Sequence, residues 1–269
     1  MFINHLAQAD VQVNGEHRRF WMDTCAGRDQ VAMTLLGQGW KAYEAPLPML
    51  VAQWCQAIQP VFIDVGANTG FYSLLALACG ATEAHAFEPV AEIAGILEAN
   101  MRVSELSERL TLHRVALGAG EGDATLYFPR ADHGLIETSA SLNSGFRSQH
   151  SARREVRVAR LDACLPLSSM VGREVLLKID VESREADVLR GAPELLKNLR
   201  PAIVAELLPG VDLAAFEHLC REDGYSHYAL EPAGPVKTSE MTASERHRDH
   251  LFLPQACEER WLAGLSARF

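Results

Sequence analysis

The chain has no Cys-x-x-Cys pair, although it contains six cysteines. No two of them lie close in sequence, so the spacing that structural zinc sites and redox motifs require is missing. Isolated thiols pack as small hydrophobic side chains. We therefore predict no metal centre and six buried, reduced cysteines, which are Cys25, Cys55, Cys79, Cys164, Cys220 and Cys257.

Basic residues are also in the minority. The chain has 35 acidic and 25 basic residues, for a formal charge of −10. Proteins that bind nucleic acid neutralise phosphates with Lys and Arg. The charge balance therefore argues against a nucleic-acid partner, and the one basic cluster, residues 153–160, alternates like a surface strand.

The sequence contains no apolar run approaching the ~20 residues that span a bilayer. Residues 1–5 have neither the basic start nor the apolar core of a secretion signal. We expect a cytoplasmic protein with no membrane span. Nothing in the sequence sets its oligomeric state.

From residue 60 onward, short apolar runs alternate with helical segments. Residues 61–65 and 84–87 have the pattern of buried parallel strands. Alternating strands and helices imply right-handed crossovers and a parallel sheet. Residues 228–230 and 250–253 predict two closing strands that pair like a hairpin, which indicates an antiparallel strand at the sheet edge.

The chain divides into three parts. Residues 1–59 are predicted to be an N-terminal extension packed on the core, with a hairpin around the Asn-Gly turn at residues 14–15 and a helix over residues 46–58. Residues 60–257 form the main domain. Residues 258–269 are a C-terminal tail.

A segment rich in Ser, Gly, Asn and His interrupts the main domain at residues 129–152. It is too long for an ordinary connection. We predict a lid-like insertion that lies over the active site. Its histidines, His133 and His150, are candidate bases, although a loop histidine is more often simply solvated.

The first chemical motif is DVGANTG at residues 64–70, at the carboxyl end of the first strand. Ligands of open α/β sheets bind beyond these strand ends. Gly66 and Gly70 permit close approach to the backbone, and Asp64 can accept hydrogen bonds from an ammonium group. Because the following helix points its N–H groups at a carboxylate, the motif suits an amino-acid moiety.

Glu88 ends the second strand and is followed by Pro89, which starts the next helix. An acidic residue about 20 positions beyond the glycine turn can bind both hydroxyls of a ribose. The dinucleotide fingerprint G-x-G-x-x-G is incomplete, because Asn68 replaces its second glycine. This argues against a nicotinamide cofactor.

The third motif is KIDVE at residues 178–182, where charged residues follow an apolar strand. Charges at a strand tip that faces the crevice indicate a function. Asp180 or Glu182 could orient the acceptor or take its proton, or they could cap the next helix. Glu206, near the end of the following strand, is a weaker candidate for the same role.

These motifs resemble the FkbM-type methyltransferases. The similarity covers roughly residues 60–254 and extends over DVGANTGFYS, FEP, ALG and KIDVE, in that order. The resemblance implies the class I Rossmann-like methyltransferase fold, with a mostly parallel seven-stranded sheet and one antiparallel edge strand. It also implies S-adenosylmethionine as the cofactor. One departure is Ser183, which stands where the family pattern has glycine; serine can cap a helix but is strained at a positive φ.

The resemblance also implies roles for individual residues. Ala116 and Leu117 are expected near the adenine ring. The full set of predicted cofactor-binding residues is Asp64, Gly66, Ala67, Asn68, Gly70, Ser73, Glu88, Pro89, Ala116, Leu117 and Asp180. The predicted catalytic residues are Asp180, Glu182 and Glu206.

The function expected is O-methylation of a hydroxyl on a sugar, glycoconjugate or polyketide-type metabolite. The partner would be a small-molecule or glycan acceptor. Two alternatives stay open at this point. One is a nicotinamide-dependent oxidoreductase on a similar fold, and the other is a cofactor-binding protein without catalysis.

Overall fold

The structure is a computed structural model that describes residues 5–129, 135–136, 150–244 and 248–265. Within these residues the strands are β1 (Leu6–Val13), β2 (Glu16–Asp23), β3 (Val61–Val65), β4 (Glu83–Phe87), β5 (Leu110–His113), β6 (Ala116–Leu117), β7 (Gly122–Pro129), β8 (His150–Ala159), β9 (Val175–Ile179), β10 (Ala202–Glu206), β11 (Tyr225–Glu231), β12 (Gly234–Lys237) and β13 (Asp249–Pro254). The helices are α1 (Gln30–Gln38), α2 (Leu47–Ile58), α3 (Phe71–Cys79), α4 (Ala91–Val103), α5 (Leu161–Cys164), α6 (Leu167–Met170), α7 (Glu185–Arg190), α8 (Pro193–Asn198), α9 (Leu213–Arg221) and α10 (Glu258–Ala263).

The main sheet has the strand order β12-β11-β13-β10-β9-β3-β4-β5. Strands β5, β4, β3, β9 and β10 are parallel neighbours. From β3 the chain first builds outward through β4 and β5, then returns to the other side of β3 with β9 and β10. The strand order therefore reverses between β3 and β9, and a ligand crevice is expected at their carboxyl ends.

The mostly parallel α/β sheet is confirmed, and its edge strand, β12, is antiparallel to β11. Two details of the prediction were wrong. The sheet has eight strands rather than seven, because residues 234–237 pair with β11 through a tight turn. A second antiparallel strand, β13, lies inside the sheet between β10 and β11. An interior position suits the apolar residues 251–253, which are fully buried.

Hydrophobic burial explains the central strands. Every residue of β3, β9 and β10 is buried, as expected when helices cover both faces of a parallel sheet. Two large apolar clusters lie on the two faces. Three charged residues are buried in these strands, namely Asp64 in β3, Lys178 in β9 and Glu206 in β10, and Lys178 is only 3% exposed.

The N-terminal residues form a hairpin and two helices. β1 and β2 pair around Asn14 and Gly15, which both have positive φ, so the predicted hairpin is confirmed. The predicted helix over residues 46–58 is confirmed as α2. The hairpin is bonded to α4, where Asn100 accepts from the backbone N–H of Asp23 and Ser104 exchanges hydrogen bonds with the backbone of Trp21.

A small second sheet has the order β6-β8-β7. Its strands β7 and β8 flank the predicted lid-like insertion, of which residues 130–134 and 137–149 lie outside the described residues. Within the insertion, Ile136 donates its backbone N–H to the carbonyl of Arg28 at 3.0 Å and packs beside Val90 and Ile93. The covering role of the insertion stays a prediction.

Two further expectations concern the burial of the cysteines and the absence of a membrane-spanning helix. All six cysteines are free, but only Cys55 and Cys79 are buried, while the other four are half-exposed. The prediction of six buried thiols was therefore wrong for four positions, which lie on partly covered helix and turn surfaces. Among the described helices, none is long and apolar enough to cross a membrane.

The C-terminal segment is anchored by Trp261 in α10, which is fully buried. Its ring packs edge-on against Trp54 of α2 at 5.1 Å between centroids, and Trp54 Nε1 donates to the Trp261 carbonyl at 2.7 Å. The segment predicted as a tail thus contains a helix that packs on the N-terminal part of the chain.

We expect Trp261→Ala to lower the free energy of unfolding by ~3–5 kcal/mol, because it removes a buried aromatic ring and leaves a cavity. Denaturant unfolding followed by circular dichroism measures the change. Glu259→Ala, at an exposed position of the same helix, is the control and should stay within ~0.5 kcal/mol of the parent protein. Equal stability of both variants would contradict the anchoring role.

Candidate active site

A cavity of about 860 Å³ opens at the carboxyl ends of β3, β4, β9 and β10. It lies at the point where the strand order reverses. Most of the residues predicted from the sequence line its wall, namely Gly66, Ala67, Asn68, Glu88, Pro89, Ala116, Leu117, Asp180, Glu182 and Glu206. The other three, Asp64, Gly70 and Ser73, are buried behind that wall.

Gly66 is required by the packing of the two central strands. Its φ is +80°, and a Cβ atom there would lie 1.9 Å from the carbonyl oxygen of Asp180. Gly70 has a φ of +96°, and a Cβ atom there would lie 2.8 Å from Leu97. Contacts within the protein therefore require both glycines. The close approach of a ligand would be an additional reason for them.

Asp64 lies beneath the glycine turn and is 1% exposed. Ser73 donates to its Oδ2 at 2.6 Å, whereas Oδ1 is buried without a partner among the described residues. Burial raises the pKa of this carboxyl group, and the nearby Lys178 ammonium opposes the rise. The unpartnered Oδ1 is the acceptor that remains for the ammonium group predicted to bind at this turn.

Glu88 is held by the backbone. Its two oxygens accept from the N–H groups of Asn68, at 3.1 Å, and Val90, at 2.8 Å. Burial raises the pKa of Glu88 to about 7, although these hydrogen bonds lower it. Each carboxylate oxygen has two lone pairs, so each can still accept from one ribose hydroxyl.

The wall beside Glu88 is apolar. Ala116 and Leu117 are buried in β6. Val90, just before α4, and Ile93, within α4, line the same part of the cavity, as does Leu126 of β7. This slot is suited to a flat, largely apolar group such as an adenine ring. Glu88 and the slot together fit the adenosine part of the cofactor predicted from the sequence.

The third motif brings a buried ion pair into the cavity wall. Lys178 Nζ lies 3.1 Å from Asp180 Oδ2 and 4.7 Å above the ring of Tyr72. Burial alone would raise the pKa of Asp180, but the charge and hydrogen bond of Lys178 hold it below its usual value. Asp180 is therefore a carboxylate at neutral pH, and its side chain is 24% exposed to the cavity.

Glu206 lies next to Asp180 at the end of the neighbouring strand. Burial and the negative charge of Asp180 raise its pKa far above the usual range, while Arg248, 3.1 Å away, opposes the rise. Two adjacent carboxyl groups repel each other when both are ionised, so the pair favours a proton on one of them. The pKa directions place that proton on Glu206.

Ser183 lies in the left-handed region, with a φ of +73°, and Glu182 before it has a φ of +55°. The expected helix cap is absent, because no side chain caps the start of α7. Glu185 Oε1 instead accepts from the backbone N–H groups of Val181 and Ser183 in the preceding turn. In the described part of the chain the Ser183 hydroxyl is buried without a partner, and Ser183 lines the cavity. Serine thus occupies a strained position where glycine would be unstrained.

Sequence reasoning missed part of the wall. Tyr43, Glu44, Tyr72 and Arg248 all line the cavity, and no role was assigned to Lys178. Tyr43 and Glu44 lie in the irregular stretch between α1 and α2, which carries no motif. Only a charge inside an apolar strand, as at Lys178, was visible in the sequence as a signal.

The remaining candidates are the loop histidines. His133 lies outside the described residues, and the side chain of His150 is outside them too. Among the side chains that are described, no group of three or more His, Cys, Asp or Glu residues is arranged to hold a metal ion.

The fold and the cavity define an α/β protein that binds its ligand at the switch point of the sheet. The family of FkbM methyltransferase domains matches residues 64–226. This is more than half of the chain, which therefore belongs to the FkbM methyltransferase family. The resemblance inferred from the motifs is confirmed. The family is one of S-adenosylmethionine-dependent methyltransferases, which agrees with the cofactor predicted from the sequence.

The chain is also similar to several solved structures. The methyltransferase FkbM from Methylobacillus flagellatus KT is 16% identical, with a TM-score of 0.46, over 72% of this chain and 43% of that one. An O-methyltransferase from Bacillus cereus, in complex with SAH, is 12% identical, with a TM-score of 0.45, over 83% and 87%. The O-methyltransferase TomG from Streptomyces achromogenes is 13% identical, with a TM-score of 0.44, over 78% and 80%.

The chain covers less than half the length of the Methylobacillus protein. No curated protein matches the sequence. Because the TM-scores lie below 0.5, the assignment depends on the family match.

Glu88 predicts a pH dependence of cofactor binding. Ribose hydroxyls donate to the carboxylate, and the protonated acid offers fewer acceptors. With a pKa of about 7, affinity for S-adenosylhomocysteine should be constant above pH 8 and fall toward about tenfold per unit below pH 7. Calorimetry from pH 6 to pH 8 measures it. Glu88→Gln should flatten the profile, whereas Glu92→Gln, whose side chain is 65% exposed, should preserve it.

Ser183→Gly should stabilise the free protein. Relief of the left-handed conformation is worth ~1–2 kcal/mol, and the greater freedom of glycine in the unfolded chain offsets ~0.4–1 kcal/mol of it. We expect the free energy of unfolding to rise by roughly 0.5 kcal/mol in denaturant titrations. Ser169→Gly, in α6 at negative φ, should instead lower it by ~0.5–1 kcal/mol. A fall in both variants would show that Ser183 is unstrained.

Proposed function

We propose that this methyltransferase transfers the methyl group of S-adenosylmethionine to a hydroxyl oxygen, on a sugar, a glycoconjugate or a polyketide-type metabolite. The observation that supports this most is the position of Asp180, a carboxylate that lines the same cavity as Glu88 and the glycine turn. A base beside the methyl donor is what an alcohol acceptor needs, because its oxygen carries a proton that must leave.

The cofactor supplies an electrophilic methyl group on its sulfonium. Glu88 and the apolar slot at Ala116 and Leu117 would hold its adenosine part, and the turn over Asp64 would hold its amino-acid part. We expect the acceptor beyond Asp180, toward Glu206 and Arg248, because these residues line the rest of the cavity. Positioning of the two reactants in this way can contribute ~7–11 kcal/mol to the lowering of the barrier.

Asp180 would accept the proton of the acceptor hydroxyl, while the cofactor would supply the methyl group and leave as S-adenosylhomocysteine. Lys178 keeps Asp180 ionised before the reaction, since its ammonium lies 3.1 Å from Oδ2. Glu206 carries a proton and donates it in a hydrogen bond to Asp180, which holds the carboxylate in place. Glu182 lines the same wall, so we assign it to the acceptor side without a proton-transfer role.

The nicotinamide alternative is disfavoured by the family and by Asn68 in the glycine turn. A protein that binds the cofactor without catalysis is disfavoured by the ionised Asp180 in the cavity. The cytoplasmic location and the lid over the site stay predictions.

A direct test uses labelled S-adenosylmethionine and a panel of glycans and macrolide-like alcohols. Mass spectrometry should locate the transferred methyl on oxygen, as an ether. Methylation at nitrogen or carbon would contradict the proposal. Tight NAD binding in calorimetry, without a response to S-adenosylmethionine, would contradict it too.

With an acceptor from this panel, we expect Asp180→Asn to lower kcat by ~10²–10⁴-fold, the usual contribution of a positioned base. Affinity for S-adenosylhomocysteine should fall much less than kcat, because Glu88 and the apolar slot are intact. Asp223→Asn, at a half-exposed position before β11, is the control and should match the parent protein. Unfolding curves show whether the variant is folded. An unchanged kcat in a folded Asp180→Asn protein would rule out Asp180 as the base.

A further inference from the structure

The acceptor end of the cavity is enclosed by a closed ring of polar contacts. Tyr72 Oη donates to Glu44 Oε2 at 2.9 Å, and Glu44 Oε1 lies 3.7 Å from Arg248 Nη2. Arg248 contacts Glu206 at 3.1 Å, and Glu206 lies next to Asp180, whose charge raises the pKa of Glu206. The ring closes through Lys178, which contacts Asp180 and lies over the ring of Tyr72.

Two members of this ring come from outside the family domain. Glu44 precedes residues 64–226 and Arg248 follows them. The members inside the domain, such as Asp180, lie where the reaction takes place. Glu44 and Arg248 therefore belong to parts of the chain that can differ between relatives with the same chemistry.

The contact between Glu44 and Arg248 is the most open link of the ring. At 3.7 Å it is an ion pair that is longer than a hydrogen bond. Side-chain exposure is 16% for Glu44 and 37% for Arg248, against 4% for Lys178. Both residues line the cavity. A carboxylate acceptor and a guanidinium donor thus lie side by side where a ligand can reach them.

The charges at this end limit what can bind. Glu44, Asp180 and Glu182 line the wall as carboxyl groups. Burial raises the pKa of Glu44, and the charges of Lys178 and Arg248 oppose the rise. Arg184 also lines the cavity, where Asp187 pairs with it, and Arg248 is the one cation of the ring with substantial exposure. A carboxylate or phosphate on the acceptor would lie close to Glu44 and Asp180 and be repelled. Two neighbouring hydroxyls on the acceptor are compatible with both Glu44 and Arg248, because one can donate to Glu44 while the other accepts from Arg248.

We propose that Glu44 and Arg248 determine acceptor specificity by binding a hydroxyl pair next to the methylated position, so that uncharged polyols are selected over anionic analogues. This inference rests on the proposed function, since it concerns the acceptor side of the same site. Glu44 provides the repulsion against anions, and Arg248 provides the donor that orients the pair.

The test compares two matched probes, methyl glucoside and methyl glucuronoside, which differ by one carboxylate. Binding to protein saturated with S-adenosylhomocysteine is measured by ligand-observed NMR. We expect the neutral probe to bind at least about tenfold more tightly, as the repulsion between two partly screened carboxylates at a few ångströms allows. Glu44→Gln should reduce this ratio to about one or two.

Glu44→Gln keeps the shape of the side chain and the acceptor for Tyr72, so a change in the ratio reports on charge. Glu217→Gln, in α9 and 49% exposed at its side chain, makes the same charge change away from the cavity and should leave the ratio unaltered. Arg248→Gln should weaken binding of the neutral probe about tenfold without changing the affinity for S-adenosylhomocysteine.

Several outcomes would overturn the inference. These are equal or tighter binding of the anionic probe, an unchanged ratio in folded Glu44→Gln protein, and failure of both probes to bind at millimolar concentration. The proposed function is tested separately, because its failure would appear as absent binding of S-adenosylhomocysteine to the parent protein.

Discussion

A single buried ammonium group organises the active site. Lys178 lies in the middle of a central strand, where its neighbours are apolar, and its side chain is 4% exposed. A buried charge is tolerated only when it is compensated. Asp180 provides the direct contact, Asp64 and Glu44 add negative charge, and the ring of Tyr72 faces the ammonium group. These partners come from three separate parts of the chain, so one cation ties them together.

The charge of Lys178 also gives two neighbouring carboxyl groups different protonation states. Asp180 is kept ionised by Lys178, whereas Glu206, which lies farther along the sheet edge, is kept protonated by burial and by the charge of Asp180. Similar side chains thus have different protonation states because of their distance from one ammonium group. The pair can hold a proton acceptor in a fixed orientation.

The sequence was sufficient to predict the sheet, the glycine turn and most of the cavity wall. These features depend on local patterns, such as the apolar run before Asp64 and the acidic residue that ends the next strand. Parallel strands bring their carboxyl ends to one edge, so motifs far apart in sequence could be placed together. The roles proposed for Glu88 and Asp180 depend on that placement.

The missed features depend on tertiary packing. Glu44 and Arg248 reach the cavity from irregular segments, where no periodic pattern shows the direction of a side chain. The interior position of β13 could not be told from an edge position, since both give a short apolar run near the chain's end. The burial of Asp64 and Ser73 behind the wall likewise depends on how α3 packs against β3.

The raised pKa values of the buried carboxyl groups couple ligand binding to folding. Burial raises the pKa of Glu88, Glu185 and Asp249 to about 7, whereas unfolded carboxyl groups titrate near pH 4. Such groups contribute stability that is present below the unfolded pKa and is lost as the pH rises through the folded value, by up to ~1.4 kcal/mol per pH unit for each group. At neutral pH these buried carboxyl groups are partly ionised, and their ionisation destabilises the ligand-free protein. A ligand that donates hydrogen bonds to Glu88 stabilises its ionised form. Occupancy of the site and the free energy of unfolding therefore rise together.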